Sequence, residues 1–298
     1  MPHTGYDANG GGKGDGMPLQ RYAVVSCHVE RVLDDEVWQA FRRFQARRPG
    51  GFRIAALMRP PDPASDEGAG HADRDAVWQG RAREAAADGP FGLHTHFGGR
   101  ENGRARPGDP VPADRVRDEL AYLAAAGLEP RFFCGGNWYI DRDVAAVLAA
   151  AGLADCSATA FAPAHLTAGA PRLELAAPAW LRRDASTTTG GVPAADFTPG
   201  AAATGALRLL ELPTTHSLGM AVRAALSPTA PAALHCYFHD YDLLVPSRAR
   251  ALAAGLAVLG RRRRPVGLDE LARAMAPHAP EQPFPPTAVA PALDRQSR

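Results

Sequence analysis

A parallel-sheet α/β protein is the fold class this sequence predicts, and three observations predict it. Short apolar runs alternate with amphipathic helical patterns seven or eight times between Tyr22 and Met275, the imprint of repeated βαβ units. The connections between them are short, which favours strands closing or nearly closing into a barrel; a doubly wound open sheet is the second choice. Polar residues, histidines above all, gather at the ends of three of the apolar runs, where folds of this class build their sites. No Gly-x-Gly-x-x-Gly follows the first run, so a dinucleotide fold would have nothing to hold its pyrophosphate.

The elements follow in order. Residues 1–20 are Gly-rich and polar and are expected to be disordered. Order begins with a strand from Tyr22 to Cys27. A helix from about Asp34 to Ala46 carries Val37, Phe41 and Phe44 on one face. A strand Phe52–Met58 stops at Pro60-Pro61, and a helix from Arg74 to Ala87 stops at Asp88-Gly89-Pro90. The strand from Phe91 to Phe97 leads into a polar loop, Gly98 to Asp109. A helix Pro112–Ala126 then shows Val116, Leu120 and Leu123 as its apolar stripe. The strand Pro130–Cys134 enters the turn Gly135-Gly136-Asn137, and Asp141 caps a helix ending at Gly152.

A short strand around Asp155–Ala158 precedes an Ala-, Pro- and Gly-rich stretch over 160–205, expected to be irregular, with a turn at Thr187. Strands Leu207–Pro213 and Ala233–His239, a helix Ser247–Leu259, a strand at Pro265-Val266 and a helix Leu268–Met275 complete the pattern. At 298 residues, 46% hydrophobic and 22% charged, the chain fits one domain over 21–276, with a Pro-rich, unpacked tail over 277–298.

Composition narrows the function. A formal net charge of +1 gives no field suited to nucleic acid or a membrane surface, and Arg261–Arg264 reads as a solvated helix end. The sequence shows no targeting segment and no apolar run long enough to span a bilayer, so a soluble, cytoplasmic protein is expected. Cys27, Cys134, Cys156 and Cys236 are widely spaced within or beside apolar runs and read as free buried thiols. Cys134, before two glycines, is the one considered as a nucleophile.

The chemistry concentrates at Gly92-Leu93-His94-Thr95-His96. On a strand, residues two apart share a face, so His94 and His96 project together as metal ligands would. His28 and Glu30 close the first run with the same spacing, and His235 and His239 share a face of the late strand. His216 and His235 read as structural, and Asp240 or Asp242 either orients His239 or caps the following turn. Trp138, after Gly135 and Gly136, is a candidate wall for a sugar, the glycines letting backbone approach the ligand. Arg100, Arg104 and Arg106 read as a solvated loop that could also meet an anionic substrate.

In the order of these segments the chain resembles the polysaccharide deacetylase family, carbohydrate esterase family four. Gly92-Leu93-His94-Thr95-His96 is similar to that family's metal-binding histidine motif. Ser26-Cys27-His28-Val29-Glu30 stands where its paired acids close the first strand. Phe132 to Trp138, with Asp155-Cys156-Ser157 downstream, resembles its Arg-x-Gly-Trp and Gly-Asp-Ser segments. Leu209-Leu210-Glu211-Leu212-Pro213 is similar to its Leu-x-Glu-Leu-Pro, and His239 matches its late catalytic histidine.

The family's first acid falls here on His28 and its arginine on Phe133 or Cys134. Its usual second metal ligand falls on Gly98, so His96 takes that place. The resemblance implies a distorted (β/α)7 barrel and a metal-dependent deacetylase acting on the N-acetyl bond of an amino sugar or another small intracellular substrate. It places a divalent metal, zinc being most suitable, on Glu30, His94 and His96. His28 is then the base and His239 the acid; alternatively His28 is a third imidazole ligand and Glu30 the base. A catalytically silent barrel that binds a carbohydrate or protein partner, and a metal-independent hydrolase using Cys134, are the other readings.

Overall fold

The computed structural model describes residues 21–62, 66, 71–161, 172–182, 208–227 and 230–284. The expectations for residues 1–20, for most of 63–70, for the turn at Thr187 and for residues beyond 284 fall outside these.

The chain runs β1 (Tyr22–Val29), α1 (Asp35–Arg47), β2 (Ala55–Met58), α2 (Arg74–Asp88), β3 (Phe91–Thr95), α3 (Pro112–Ala125), β4 (Phe132–Gly135), α4 (Arg142–Ala150) and β5 (Ala154–Asp155). It continues with β6 (Ala179–Arg182), β7 (Arg208–Glu211), β8 (His216–Ser217), α5 (Leu218–Ala225), β9 (Ala233–His239), α6 (Pro246–Arg262), β10 (Arg264–Pro265), α7 (Leu268–Met275) and β11 (Glu281–Pro283). Helix starts follow capping chemistry. Asp34 accepts from the backbone of Glu36 and Val37, Asp73 from Ala76 and Asp141 from Val144, each cap contributing about 1 kcal/mol. Helix α1 buries Val37, Trp38, Phe41 and Phe44, at about 1.5–3 kcal/mol for each large side chain.

Among the described residues the strands form one sheet in the order β11, β6, β7, β5, β4, β3, β2, β1, β9, β8, with β10 beside the start of β1. Every pairing is parallel except that of β6 with β7. Residues 208–217 touch two distant strands in turn. The Leu212 N–H donates to the Asp155 carbonyl at 2.7 Å and the Thr214 N–H to that of Ala158 at 2.8 Å, after which β8 pairs with β9.

Alternation along the strands makes two cores. Ala23, Val25, Cys27 and Val29 of β1 pack with α1 to α6, whereas Val24 joins Leu57, Phe132, Cys134, Leu210 and the α7 residues Leu268 and Leu271. His28 and Glu30 continue the Val24 face, so the second core rises from apolar residues at strand beginnings to polar ones at strand ends. No helix among the described residues is long and apolar enough to cross a membrane.

Two expectations are corrected. The tail past residue 276 packs at its start: β11 lies beside β6, Phe284 is buried, and its N–H donates to the Arg182 carbonyl at 2.8 Å. Proline is compatible with this end strand because an edge position does not require its missing N–H. Helix α5, started by Ser217, is an element the sequence reading did not include.

Asp155 and Glu211, side by side on β5 and β7, are completely buried and hydrogen-bonded to each other. Asp155 also accepts from the Ser157 hydroxyl, and Glu211 from the Ala158 N–H. Burial, then the Asp155 charge, push the Glu211 carboxyl well above its ordinary range, so it holds the shared proton. Its folded value exceeds its unfolded one, and the stability this adds is present at low pH and lost as pH rises through the raised value. Glu211→Gln, which keeps the donor without the titrating proton, is expected to flatten the fall of Tm as pH rises above the ordinary carboxylate range. A Tm-against-pH series on both proteins checks this, and an unchanged slope there would refute it.

Candidate active site

The ends of β1, β3 and β9 meet, because β1 lies between β2 and β9 and β2 lies against β3. Register sets His28 opposite His239. Glu30 follows β1 directly, and its Oε1 stands 3.5 Å from His94 Nε2, 3.6 Å from His96 Nε2 and 3.6 Å from His239 Nε2. Glu30, His94 and His96 form a compact group whose ligand atoms all lie within 4.8 Å of one another. His239 joins it through Glu30.

Each imidazole is held by a different partner. His94 Nδ1 lies 2.8 Å from the Cys134 carbonyl, which can only accept, so Nδ1 carries the hydrogen and Nε2 turns a lone pair toward Glu30. His96 Nδ1 lies 3.2 Å from Glu101 Oε1, which keeps a hydrogen on Nδ1 and leaves Nε2 as the atom that could exchange its proton for a cation. His239 is reversed: its side chain accepts from the Asp242 backbone N–H, which leaves the hydrogen on Nε2. Asp242 in turn accepts from the His239 N–H at 3.1 Å, and Asp240 accepts from the Arg31 N–H at 2.8 Å. Both acids therefore bind backbone at this turn.

Burial opposes the charge on Glu30, but the adjoining His94 and His96 imidazoles outweigh it and hold the carboxyl well below its ordinary range. Burial also disfavours the His96 imidazolium, yet the hydrogen bond to Glu101 and the Glu30 carboxylate beside it raise its pKa to about 9. His94 and His239 are lowered, chiefly by burial.

His28 lies deeper, its ring stacked on His94 at 4.4 Å and edge-on to His239 at 5.4 Å. Burial and the neighbouring imidazoles His94 and His239 hold it neutral, and its Nε2 has no hydrogen-bond partner among the described residues. His28, His94 and Cys134 form a second cluster with ligand atoms within 4.8 Å. Below it the Ser26 hydroxyl meets His235 Nε2 at 2.9 Å, while His235 Nδ1 donates to the Leu212 carbonyl. Burial lowers His235 to about 4, and His216 contacts Thr215; both act within the scaffold.

Three expectations change. Trp138 is only 3% exposed and packs on His28, Phe161 and Tyr237, so it offers a sugar no open face. Gly135 and Gly136 are also buried: the Gly135 N–H donates to Ser157 Oγ, and a Cβ on Gly136 would fall 2.3 Å from Glu101 Oε2 and 2.9 Å from His96 Nδ1. The group that Gly136 admits is the His96–Glu101 pair, whereas Gly135 admits the Tyr139 backbone. Burial, reinforced by Asp155 and Glu211, pushes the Cys134 thiol well above its usual value, which disfavours the thiolate a nucleophile needs.

The residue that sequence reasoning missed is Glu101. It is buried, takes the His96 Nδ1–H, and accepts from the Phe97 N–H at 3.0 Å and Asn137 Nδ2 at 3.4 Å. Its only signal in the sequence is an acid five residues beyond a candidate ligand. Partners of this kind orient a metal-binding imidazole and raise its basicity.

The donor set fits a divalent cation. A buried His96 Nε2 without a hydrogen-bond partner among the described residues faces a carboxylate oxygen at 3.6 Å, beyond hydrogen-bond range. Ligands about 2.0–2.1 Å from a tetrahedral zinc ion stand about 3.3–3.4 Å apart. Glu101→Ala is accordingly expected to weaken zinc binding about 10- to 100-fold while the fold persists. Competition with a chromophoric chelator measures this, and an affinity equal to that of the unaltered protein would refute it.

Fold and site together define an α/β protein with a histidine–carboxylate cluster at the ends of parallel strands. No family model and no curated relative matches the chain. Among solved structures it is similar to a family 4 carbohydrate esterase from Streptomyces lividans in complex with acetate, at 11% identity and a TM-score of 0.40, over 81% of this chain and 87% of that one. A likeness that distant carries no argument about activity.

Proposed function

We propose that the protein is a divalent-metal-dependent hydrolase, zinc being the best-suited ion, that cleaves an N-acetyl amide on an amino sugar or another small molecule. The proposed scaffold is a distorted (β/α)7 barrel of the polysaccharide deacetylase type, its ring completed by residues 208–217 between β5 and β9. One observation carries the reading: around a single Glu30 oxygen stand the Nε2 atoms of His94, His96 and His239, the first two on rings whose Nδ1–H is held by the Cys134 carbonyl and by Glu101, which leaves Nε2 as the atom a cation would take, and the third on a ring whose Nδ1 accepts from backbone. Two imidazoles are set to bind a cation and the third to give a proton, the division of labour that amide hydrolysis requires.

Glu30, His94 and His96 would hold the metal. A cation there supplies Lewis acidity, polarising an acyl carbonyl and making water acidic near neutral pH. His239, in its imidazolium form, is assigned to protonate the leaving amine from Nε2 and to return to the neutral ring. His28, neutral and with an unpartnered Nε2, is assigned as the proton acceptor. Glu101 and the Cys134 carbonyl fix the ligand tautomers.

The test is metal analysis of purified protein followed by acetate release from N-acetylglucosamine and simple N-acetyl amines. Near-stoichiometric zinc and zinc-dependent acetate release are expected. Protein that neither retains nor takes up zinc would overturn the hydrolase and leave a carbohydrate- or partner-binding fold.

A further inference from the structure

A pocket of about 420 Å³ opens beside the cluster, lined by Glu30 and His96 together with Arg31, Arg59, Arg115 and Asp62. Arg100, Arg104 and Arg106, the arginines most visible in the sequence of the neighbouring loop, are not among its lining. Arg59 is the anchored one. Its Nε and Nη2 donate to the Glu30 carbonyl at 3.1 and 2.9 Å, and Nη2 also meets Asp66 at 2.5 Å.

Its Nη1 is buried and has no acceptor among the described residues. A buried cationic N–H without an acceptor is unfavourable, and a guanidinium held on two of its three nitrogens presents the third in a fixed direction. Arg115 uses its Nε on buried Glu119 at 2.6 Å, and Arg31, whose side chain is 52% exposed, pairs with Asp34. Three guanidinium groups thus line the pocket that carries the candidate metal ligands, together with the carboxylates of Glu30, Asp62 and Glu101.

We infer that this pocket takes a substrate bearing an anionic oxygen group, carboxylate or phosphate, which accepts from Arg59 Nη1 with Arg31 and Arg115 adding attraction. The inference rests on the proposed hydrolase for its use, since it names the class of amide presented. The recognition itself is measured without turnover. The anion would also couple to the site mechanically, because the same guanidinium grips the backbone of Glu30.

Calorimetric titration of the whole protein, both metal-stripped and zinc-loaded, tests this with three probes: N-acetylglucosamine, its 6-phosphate, and N-acetylmuramic acid, a carboxylate on the same sugar. At least one anionic probe is expected to bind about tenfold or more tighter than the neutral sugar in both states, and the tighter one identifies the group. Arg59→Gln, folded by circular dichroism, should erase the preference. If that variant does not fold, Arg31→Gln, at a more exposed position, decides by reducing the preference measurably.

Equal affinity for all three probes overturns the inference. So does a preference seen only with zinc loaded, which would make the anion a metal ligand, or one that survives the folded variants intact. Failure to bind zinc with the anion preference intact would sink the hydrolase and leave the anion site standing.

Discussion

Replacing His94 by alanine is expected to remove the metal and the hydrolysis together. His94 is the most firmly set of the three candidate ligands, buried on β3 and tied to the Cys134 carbonyl at 2.8 Å. Its loss leaves one imidazole and one carboxylate, so zinc affinity should fall by more than the roughly 100-fold that losing an orienting partner can cost. Turnover should fall about a thousandfold or more, since the Lewis acid contributes several kcal/mol to the transition state.

In the unaltered protein, zinc must displace the proton that His96 holds up to a pKa of about 9, whereas Glu30 is already ionised. Affinity should therefore climb about tenfold per pH unit through neutrality and level off above that value. Elemental analysis and chelator competition provide the readings. Stoichiometric zinc in the His94→Ala protein, or affinity indifferent to pH, would reject this ligand assignment.

His239→Asn should behave in the opposite way, keeping its zinc and losing its rate. His239 meets the group only through Glu30 and presents Nε2–H rather than a lone pair. Removing a general acid lowers kcat by about 10²- to 10⁴-fold, with little change in KM if the interaction forms only in the transition state. The diagnostic is the leaving group: an acetyl ester of an acidic phenol needs no proton on departure, so the variant should lose far less on it than on an N-acetyl amine. Equal losses on both, or zinc lost with the imidazole, would show His239 to be a ligand.

Much of this was legible from β1, β3 and β9. Each is a short apolar run that closes on polar residues sharing a face, two apart in β1 and β3 and four apart in β9, and a parallel sheet sends all such ends to one side. Ser217 as a helix start, β11 in the proline-rich tail and the antiparallel β6 were not, because short elements are fixed by the neighbours they pair with. Within the site, His94, His96, Glu30 and His239 could be picked out by residue type and spacing. Glu101 and Arg59 could not: an acid in a polar loop and an arginine before two prolines look like solvent-facing residues until the fold buries them. Arg59 did offer one hint, since it closes β2 as the histidines close their strands. Gly136 was noticed for the right physical reason, close approach, but only coordinates reveal that the approaching group is Glu101.

The turn after β4 has a consequence for engineering. Asn137 and Trp138 both adopt left-handed backbone, with φ of 49° and 59°, a conformation that costs non-glycine residues about 1–3 kcal/mol each. Asn137 meanwhile donates to Glu101 and to Asn102. Selection for heat resistance alone will favour glycine at position 137, because it relaxes the chain. The same change releases the side chain that steadies Glu101, so thermal robustness and cation retention are set against each other at this one residue.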